Sequence, residues 1–323
     1  MKGFDVAAPL EFEQSIADLE SKLDELRHLS SSKDFNISKE VARLEEKVQR
    51  LLRQTYMRLT PWQKVLVARH PERPHCLDFI RHLIEDFVEL AGDRAFSEDK
   101  AIVGGVGRFR GKPVMIMGTE KGHDIESRLL HNFGMPRPEG YRKACRLVRL
   151  ANDYSLPILT FVDTAGAHPG KDAEERGQSE AIARSIETFL KAEVPVIATV
   201  TGEGGSGGAI ALAAANEVLM LEHAIYSVVT PEGCASILWR SVDKKQEAAA
   251  AQKLTAQDLK ALDIIDSIIL EPVGGAQRSP QSAISATGDA IEKALNKYLN
   301  SSSERIRSQR KQKFLALGQK GLN

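Results

Sequence analysis

Gly202-Glu203-Gly204-Gly205-Ser206-Gly207-Gly208 joins the apolar run Val194 to Val200 to a second run of small apolar residues, Ala209 to Ala215. Five glycines in seven residues cost backbone entropy on folding, and they make sense where the main chain turns sharply or lies directly against something. The flanks predict a buried strand entering the turn and a helix leaving it. The same unit occurs just upstream. Pro157 to Val162 reads as a buried strand running into Asp163-Thr164-Ala165-Gly166-Ala167-His168-Pro169-Gly170, and a helix around Ser179 to Lys191 follows. Strands this apolar must be covered on both faces, so the pattern of strand, glycine turn and helix predicts an α/β architecture.

Working outward, Ala101 to Phe109 and Val114 to Gly118 read as strands across an Arg110-Gly111-Lys112-Pro113 turn, with a helix near Glu139 to Asp153. Downstream, strands at Val218 to Leu221 and Ile225 to Val229 precede Thr230-Pro231-Glu232-Gly233-Cys234, and beyond Leu254 the chain reads as helical. His70-Pro71-Glu72-Arg73-Pro74 breaks the chain before an expected amphipathic helix with Leu77, Ile80, Leu83, Ile84, Phe87 and Leu90 on one face, stopping at Gly92. Ahead of it, Ile16, Leu19, Leu23 and Leu26, then Ile37, Val41, Leu44, Val48 and Leu51, step by three and four. They predict a helical hairpin whose arms are separated by Ser30-Ser31-Ser32-Lys33-Asp34.

The 323 residues are 42% apolar and 27% charged, with 44 basic against 44 acidic side chains. Zero net charge without a recognisable module argues against dedicated nucleic-acid binding. The apolar runs are too short to cross a bilayer, and Met1-Lys2-Gly3-Phe4-Asp5 does not open onto a secretory apolar segment. Cys76, Cys145 and Cys234 stand far apart, so no thiol pair is expected to hold zinc here, and the cytoplasm is the expected compartment. The neutral sum hides a polarity: residues 1–47 carry eleven acids and seven bases, whereas residues 301–323 carry Glu304 and six bases. Solvated helix faces are the ordinary reading of such blocks, and docking on a partner is the alternative. The same pair of readings applies to Arg142, Arg146 and Arg149, which share a helix face.

Three chemistries fit the glycine turn. Gly202, Gly204 and Gly207 satisfy the dinucleotide fingerprint, with Glu222 twenty residues on. Ser206 satisfies a nucleophile-elbow spacing, but the only later histidine is His223, with no aspartate between them. The third reading uses backbone N–H groups at a helix N-terminus to hold an oxyanion, which needs no reactive side chain.

Longer blocks carry a resemblance. Glu89-Leu90-Ala91-Gly92-Asp93-Arg94, Asn132-Phe133-Gly134-Met135-Pro136, Pro138-Glu139-Gly140-Tyr141-Arg142-Lys143-Ala144 and Ala173 to Arg184 are among them. With Gly202 to Gly208, Pro231 to Trp239 and Leu262-Asp263-Ile264-Ile265-Asp266, the chain resembles the alpha subunits of bacterial acetyl-CoA carboxylase carboxyltransferases. The resemblance runs from about residue 10 into the C-terminal tail and displaces the dinucleotide reading. It implies a crotonase-like (ClpP/crotonase) spiral of ββα units between an N-terminal helical hairpin and a helical C-terminus. The expected divisions are 1–55 for the hairpin, 56–300 for the carboxyltransferase domain and 301–323 for the basic tail.

By the same resemblance, the chain is expected to move a carboxyl group from carboxybiotin on a biotin carboxyl carrier protein to acetyl-CoA, giving malonyl-CoA for fatty acid biosynthesis. It should work only with a beta subunit, as an α2β2 assembly. That partner is expected to hold zinc, this chain no metal, and a biotin carboxylase component to use ATP. The implied oxyanion pair is Gly207 and Gly208, with Ser206 a spacer. Gly204, Gly205, Gly166, Ala167, Glu232 and Gly233 are expected to line the cleft. Two positions depart from the family pattern: Ala165 replaces a usual proline and His168 a usual aromatic. His168 reads as filling the aromatic's space, with a pH-sensitive role as the alternative. A non-catalytic scaffold of the same fold is the remaining alternative.

Overall fold

The computed structural model describes residues 9–29 and 35–319. Ser30 to Asp34 and Met1 to Asp5, which carried the readings of a hairpin linker and of no secretory leader, lie outside the described residues. Helices α1 (Gln14–Leu29) and α2 (Phe35–Tyr56) pack on each other as the expected hairpin, burying Ile16, Val48, Leu52 and Tyr56. Helix α3 (Pro61–Ala68) starts at a reciprocal cap between Thr60 and Gln63. Then follow α4 (Cys76–Leu83), β1 (Ile84–Glu89), β2 (Ile102–Phe109), β3 (Lys112–Thr119), α5 (Ile125–Leu130) and α6 (Pro138–Asp153). The two glycine-turn units are β4 (Ile158–Thr164), α7 (Lys171–Glu175) and α8 (Gln178–Lys191), then β5 (Val196–Gly205) and α9 (Ser206–Ala213). The remainder is β6 (Glu217–Leu221), β7 (Ile225–Ser227), α10 (Pro231–Trp239), α11 (Lys245–Ala251), α12 (Ala256–Ala261), β8 (Ser267–Ile269), α13 (Pro280–Asn296) and α14 (Ser303–Ala316).

One mixed sheet runs β1-β2-β3-β4-β5-β6-β8, with β7 pairing to the end of β5. The pairs β1–β2 and β2–β3 are antiparallel, and every other pair is parallel. Strands β4 and β5 are buried along their whole length, as their largely apolar character requires. Phe161, Val162, Ile197 and Val200 meet Leu147 and Val148 of α6 and Leu212 of α9 in the main core. Each such side chain stabilises the fold by about 1.5–3 kcal/mol through burial. Because β4 and β5 are parallel neighbours, their turns emerge side by side at the carboxyl edge of the sheet, where open α/β sheets bind ligands.

Three expectations are corrected. The helix read from Leu77 to Leu90 ends at Leu83, and Ile84–Glu89 is an edge strand instead. Side-chain spacing allowed either state; tertiary pairing decides for the strand. Gly105 and Gly107 of β2 let β1 lie close, since a Cβ at Gly105 would fall 2.1 Å from the Val88 carbonyl oxygen. The C-terminal region contains a strand, β8, whose three residues are too few to show a period.

The third correction concerns part of the charged ends: some of these groups pair within the chain, while Arg305, Arg307 and Lys311 stay exposed in keeping with the solvated reading. In α14, Arg310 is fully buried and Lys313 pairs with Asp266. In the hairpin, Glu13 and Glu20 accept from Arg278, at 3.3 and 2.6 Å, and Tyr56 packs its ring edgewise against His223. Likewise Arg146 donates to the Leu90, Ala91 and Gly92 carbonyls, and Arg142 to that of Arg176, so both hold loops in place.

Candidate active site

The glycine turns of β4 and β5 touch. A Cβ at Gly205 would lie 2.2 Å from the Ala165 carbonyl oxygen, and one at Gly208 would lie 2.8 Å from the Ala167 nitrogen. No side chain fits at either place without parting the turns. Gly207 has more room, its nearest neighbour being Ile182 of α8 at 3.3 Å. The residue that takes the left-handed conformation is Ser206, with φ 50°, where the chain swings from strand into α9. Such a φ is uncommon outside glycine, and it sets Gly207 and Gly208 in the first turn of the helix. N–H groups there have no acceptor within the helix, and the helix dipole adds positive potential. Gly166, with φ 148°, and Ala167 lie opposite. The structure thus brings Gly166, Ala167, Gly205 and Gly208 against one another, with Gly207 next to them in the first turn of α9.

Beside Gly207 opens a largely apolar cleft of about 460 Å³, walled by Ile210, Tyr226, Leu259 and Ile264. Gly204 is the seat for the Tyr226 ring, 2.7 Å from where its Cβ would be. Gly233 acts in the cap of α10, donating its N–H to Thr230 Oγ1 at 3.1 Å. Glu232 connects to the turn through Arg69, whose guanidinium also holds Glu203; both contacts are 2.6 Å.

The other readings of the turn fail on geometry. His223 is buried against Tyr56, so it is no partner for Ser206. Glu222 serves the fold, its Oε2 accepting the Glu271 N–H at 3.1 Å.

A chain of charges beneath the turns was not foreseen. Lys121 Nζ lies 2.7 Å from Asp163 Oδ1 and 2.8 Å from Glu203 Oε2, and Arg69 continues the chain to Glu232. Burial raises the Glu203 carboxyl, but Lys121 and Arg69 outweigh it and hold it at about 2. One clue was visible, a lone glutamate among glycines; its partners lie 82 and 134 residues away. Deeper still, Arg73 and Glu271 form a buried two-point ion pair at 2.8 Å. His168 is engaged rather than free: Asn132 Nδ2 donates to its Nδ1 at 3.1 Å and Gln178 to its carbonyl at 2.9 Å.

Buried histidine gives the fold an acid-sensitive side. Burial holds His75, 4% exposed, at about 4, against an ordinary value near 6.5. The unfolded chain therefore takes up this proton first. Stability is complete above pH ~6.5 and falls as pH approaches 4, by roughly 3 kcal/mol for this group. Burial also lowers His70 and His223, whereas Asp78 raises His123. Glu203 and Glu271, both held at about 2, lose their contribution in a lower window, from pH ~4.5 to 2. Urea unfolding is expected to show free energy declining between pH 7 and 4.5, and His75→Gln to flatten that slope.

Among the described residues no cluster of three metal-ligating side chains occurs, and no helix is long and apolar enough to cross a membrane.

Solved structures share this layout. Transcarboxylase 12S, crystallised as a hexamer with methylmalonyl-coenzyme A, matches with a TM-score of 0.57 at 21% identity, over 70% of this chain and 42% of that one. A Pseudomonas malonate decarboxylase hetero-tetramer in complex with coenzyme A matches with a TM-score of 0.55 at 17% identity, over 65% of this chain and 84% of that one. These likenesses define the class of fold, a crotonase-like α/β architecture. Sequence similarity carries the assignment further. Residues 9–318 match the family described as acetyl co-enzyme A carboxylase carboxyltransferase-like, and the chain belongs to that family. The acetyl-coenzyme A carboxylase carboxyl transferase subunit alpha of Rhodospirillum centenum is 63% identical to it, over 97% of this chain and 99% of the relative. That of Paramagnetospirillum magneticum is 60% identical over 97% and 99%.

Proposed function

We propose that this chain supplies the biotin side of a two-subunit acetyl-CoA carboxyltransferase, receiving carboxybiotin from a carrier protein and forming malonyl-CoA. The observation that carries this reading is the contact of the two glycine turns at the start of α9, beside an apolar cleft. Walls such as Ile210, Leu259 and Ile264 suit the uncharged fused rings of biotin, and the N–H groups of Gly207 and Gly208 suit its ureido oxygen. Bound carboxybiotin supplies the carboxyl group and, once that has left, the nitrogen that accepts the methyl proton of acetyl-CoA. The chain's own contribution is electrostatic: two fixed donors stabilise negative charge as it develops on the oxygen, without reorganising during the reaction. Each donor of this kind commonly contributes about 10²–10³ in rate. The acetyl-CoA methyl group must come from the opposite side, held by a beta subunit.

Exposed Ile237, Leu238, Trp239 and Val242, together with Val228 at the cleft, support a partner on this face. Zinc and the thioester site are assigned to that partner, ATP use to a separate biotin carboxylase, and the assembly to the cytoplasm.

The test mixes the chain with the beta subunit of a close relative and measures malonyl-CoA-dependent carboxylation of free biotin. Activity is expected from the mixture and none from the chain alone. A mixture that assembles but is inert, under conditions where the relative's own alpha subunit works, overturns the reading.

A further inference from the structure

We infer that Lys121, through Asp163 and Glu203, sets the spacing of the two glycine turns and is a positioning residue for the oxyanion site. The inference rests on the carboxyl-transfer reading and deepens it. Asp163 lies where β4 opens into its turn, and Glu203 lies within the last residues of β5. The two are already linked by the Glu203 N–H, which donates to Asp163 Oδ1 at 2.8 Å. Gly202 makes room for this link, because a Cβ there would fall 2.4 Å from the same oxygen. One of the five glycines thus serves a carboxylate and not the substrate.

Two carboxylates brought this close repel unless a cation lies between them. Lys121 Nζ is that cation, within 2.8 Å of both. Its stem is clamped from outside: a Cβ at Gly134 would lie 2.7 Å from Lys121 Cγ. Gly134 ends a left-handed run with Asn132 and Phe133, whose φ values are 73°, 47° and 55°. Burial opposes the charged ammonium, but Asp163 and Glu203 prevail and raise its pKa, so it stays protonated and cannot act as a base. Lys121 does not line the apolar cleft beside Gly207. It acts through the turns, which touch at Gly205–Ala165 and Gly208–Ala167 without slack. Without the ammonium the carboxylates part, and the turns part with them. A displacement of about 1 Å at such a site costs on the order of 10² in rate.

The experiment uses the chain assembled with a beta subunit and compares wild type, Lys121→Met, Lys121→Arg and Lys121→Gln in malonyl-CoA-dependent carboxylation of biotin. Lys121→Met is expected to lower kcat about 10²-fold, with KM for malonyl-CoA within twofold of wild type. Lys121→Arg, which keeps the charge, should recover at least about tenfold of that loss. Sedimentation should show both variants fully assembled. A fully assembled Lys121→Met complex with kcat within threefold of wild type overturns the inference, as does an arginine variant no better than methionine. Should the methionine variant not fold, Lys121→Gln is read in its place. It removes the same charge from a polar side chain, and an assembled complex with kcat within threefold of wild type there also overturns the inference. An inert wild-type complex would mean failure of the carboxyl-transfer reading itself, so the two failures are distinguishable.

Discussion

Gly208→Ala is expected to lower kcat by about 10²-fold while the chain still folds and assembles, and Gly207→Ala is expected to cost less than about tenfold. The two glycines are adjacent and both read as oxyanion donors, yet their surroundings differ. The added methyl at position 208 would meet the Ala167 nitrogen at 2.8 Å, a backbone atom at the base of the opposing turn. Something must move, and what moves is the distance between the turns. At position 207 the methyl would meet Ile182 Cγ2 at 3.3 Å, a side chain that can yield by a few tenths of an ångström. The backbone N–H survives in both variants, so the difference reports geometry and not loss of a donor. Steady-state kinetics of the two complexes decide the matter, with thermal melts as the check on folding. Equal activities would sink the claim that contact between the turns forms the site.

Arg310→Met is expected to destabilise the chain by about 3–5 kcal/mol, lowering its melting temperature by about 10 °C. Arg310 is fully buried, and its four bonds among the described residues go to backbone carbonyls and an amide oxygen rather than to a carboxylate. Its guanidinium donates to the carbonyls of Phe189, Ala192 and Val194, at 3.0, 2.7 and 2.8 Å, and to Asn216 Oδ1. Phe189 lies in the last turn of α8, where the helix's own supply of N–H donors runs out and its carbonyl accepts from Ala192 as well as Arg310. Arg310 therefore caps α8 and ties α14 to the loop entering β5. Burial lowers its pKa to about 10, so it remains charged at neutral pH. Methionine fills the volume but takes the donor from the Ala192 and Val194 carbonyls and from Asn216 Oδ1, and leaves the Phe189 carbonyl only the Ala192 N–H at 3.2 Å. Arg307→Met serves as the comparison. Arg307 and Glu193 stand 3.7 Å apart with both side chains about half exposed, and such pairs contribute about 0–1 kcal/mol. Similar melts for the two variants would refute the cap.

The contrast between Arg307 and Arg310 shows how far local sequence reaches. Six bases among the last 23 residues read as one basic tail, open to solvent or to a partner. Nothing within that stretch distinguishes Arg310, because its acceptors lie 94 to 121 residues away. The same holds for Lys121 and Arg69, whose carboxylate partners lie on other elements. Leu77 to Leu90 shows the converse case. Its apolar spacing suited a helix, and the glycines of β2, which admit the edge strand β1, lie some twenty residues further on.

By itself the sequence determined the two units of strand, glycine turn and helix, and the α/β class. Those features follow from local rules: unbroken apolar runs become covered strands, and clustered glycines mark close backbone approach. The tertiary structure alone decided which glycine has no room, which cation stands between two carboxylates, and which arginine of a basic tail belongs to the core. Each of these depends on groups brought together by parallel strand pairing and helix docking, and chain separation hides such meetings from any local pattern.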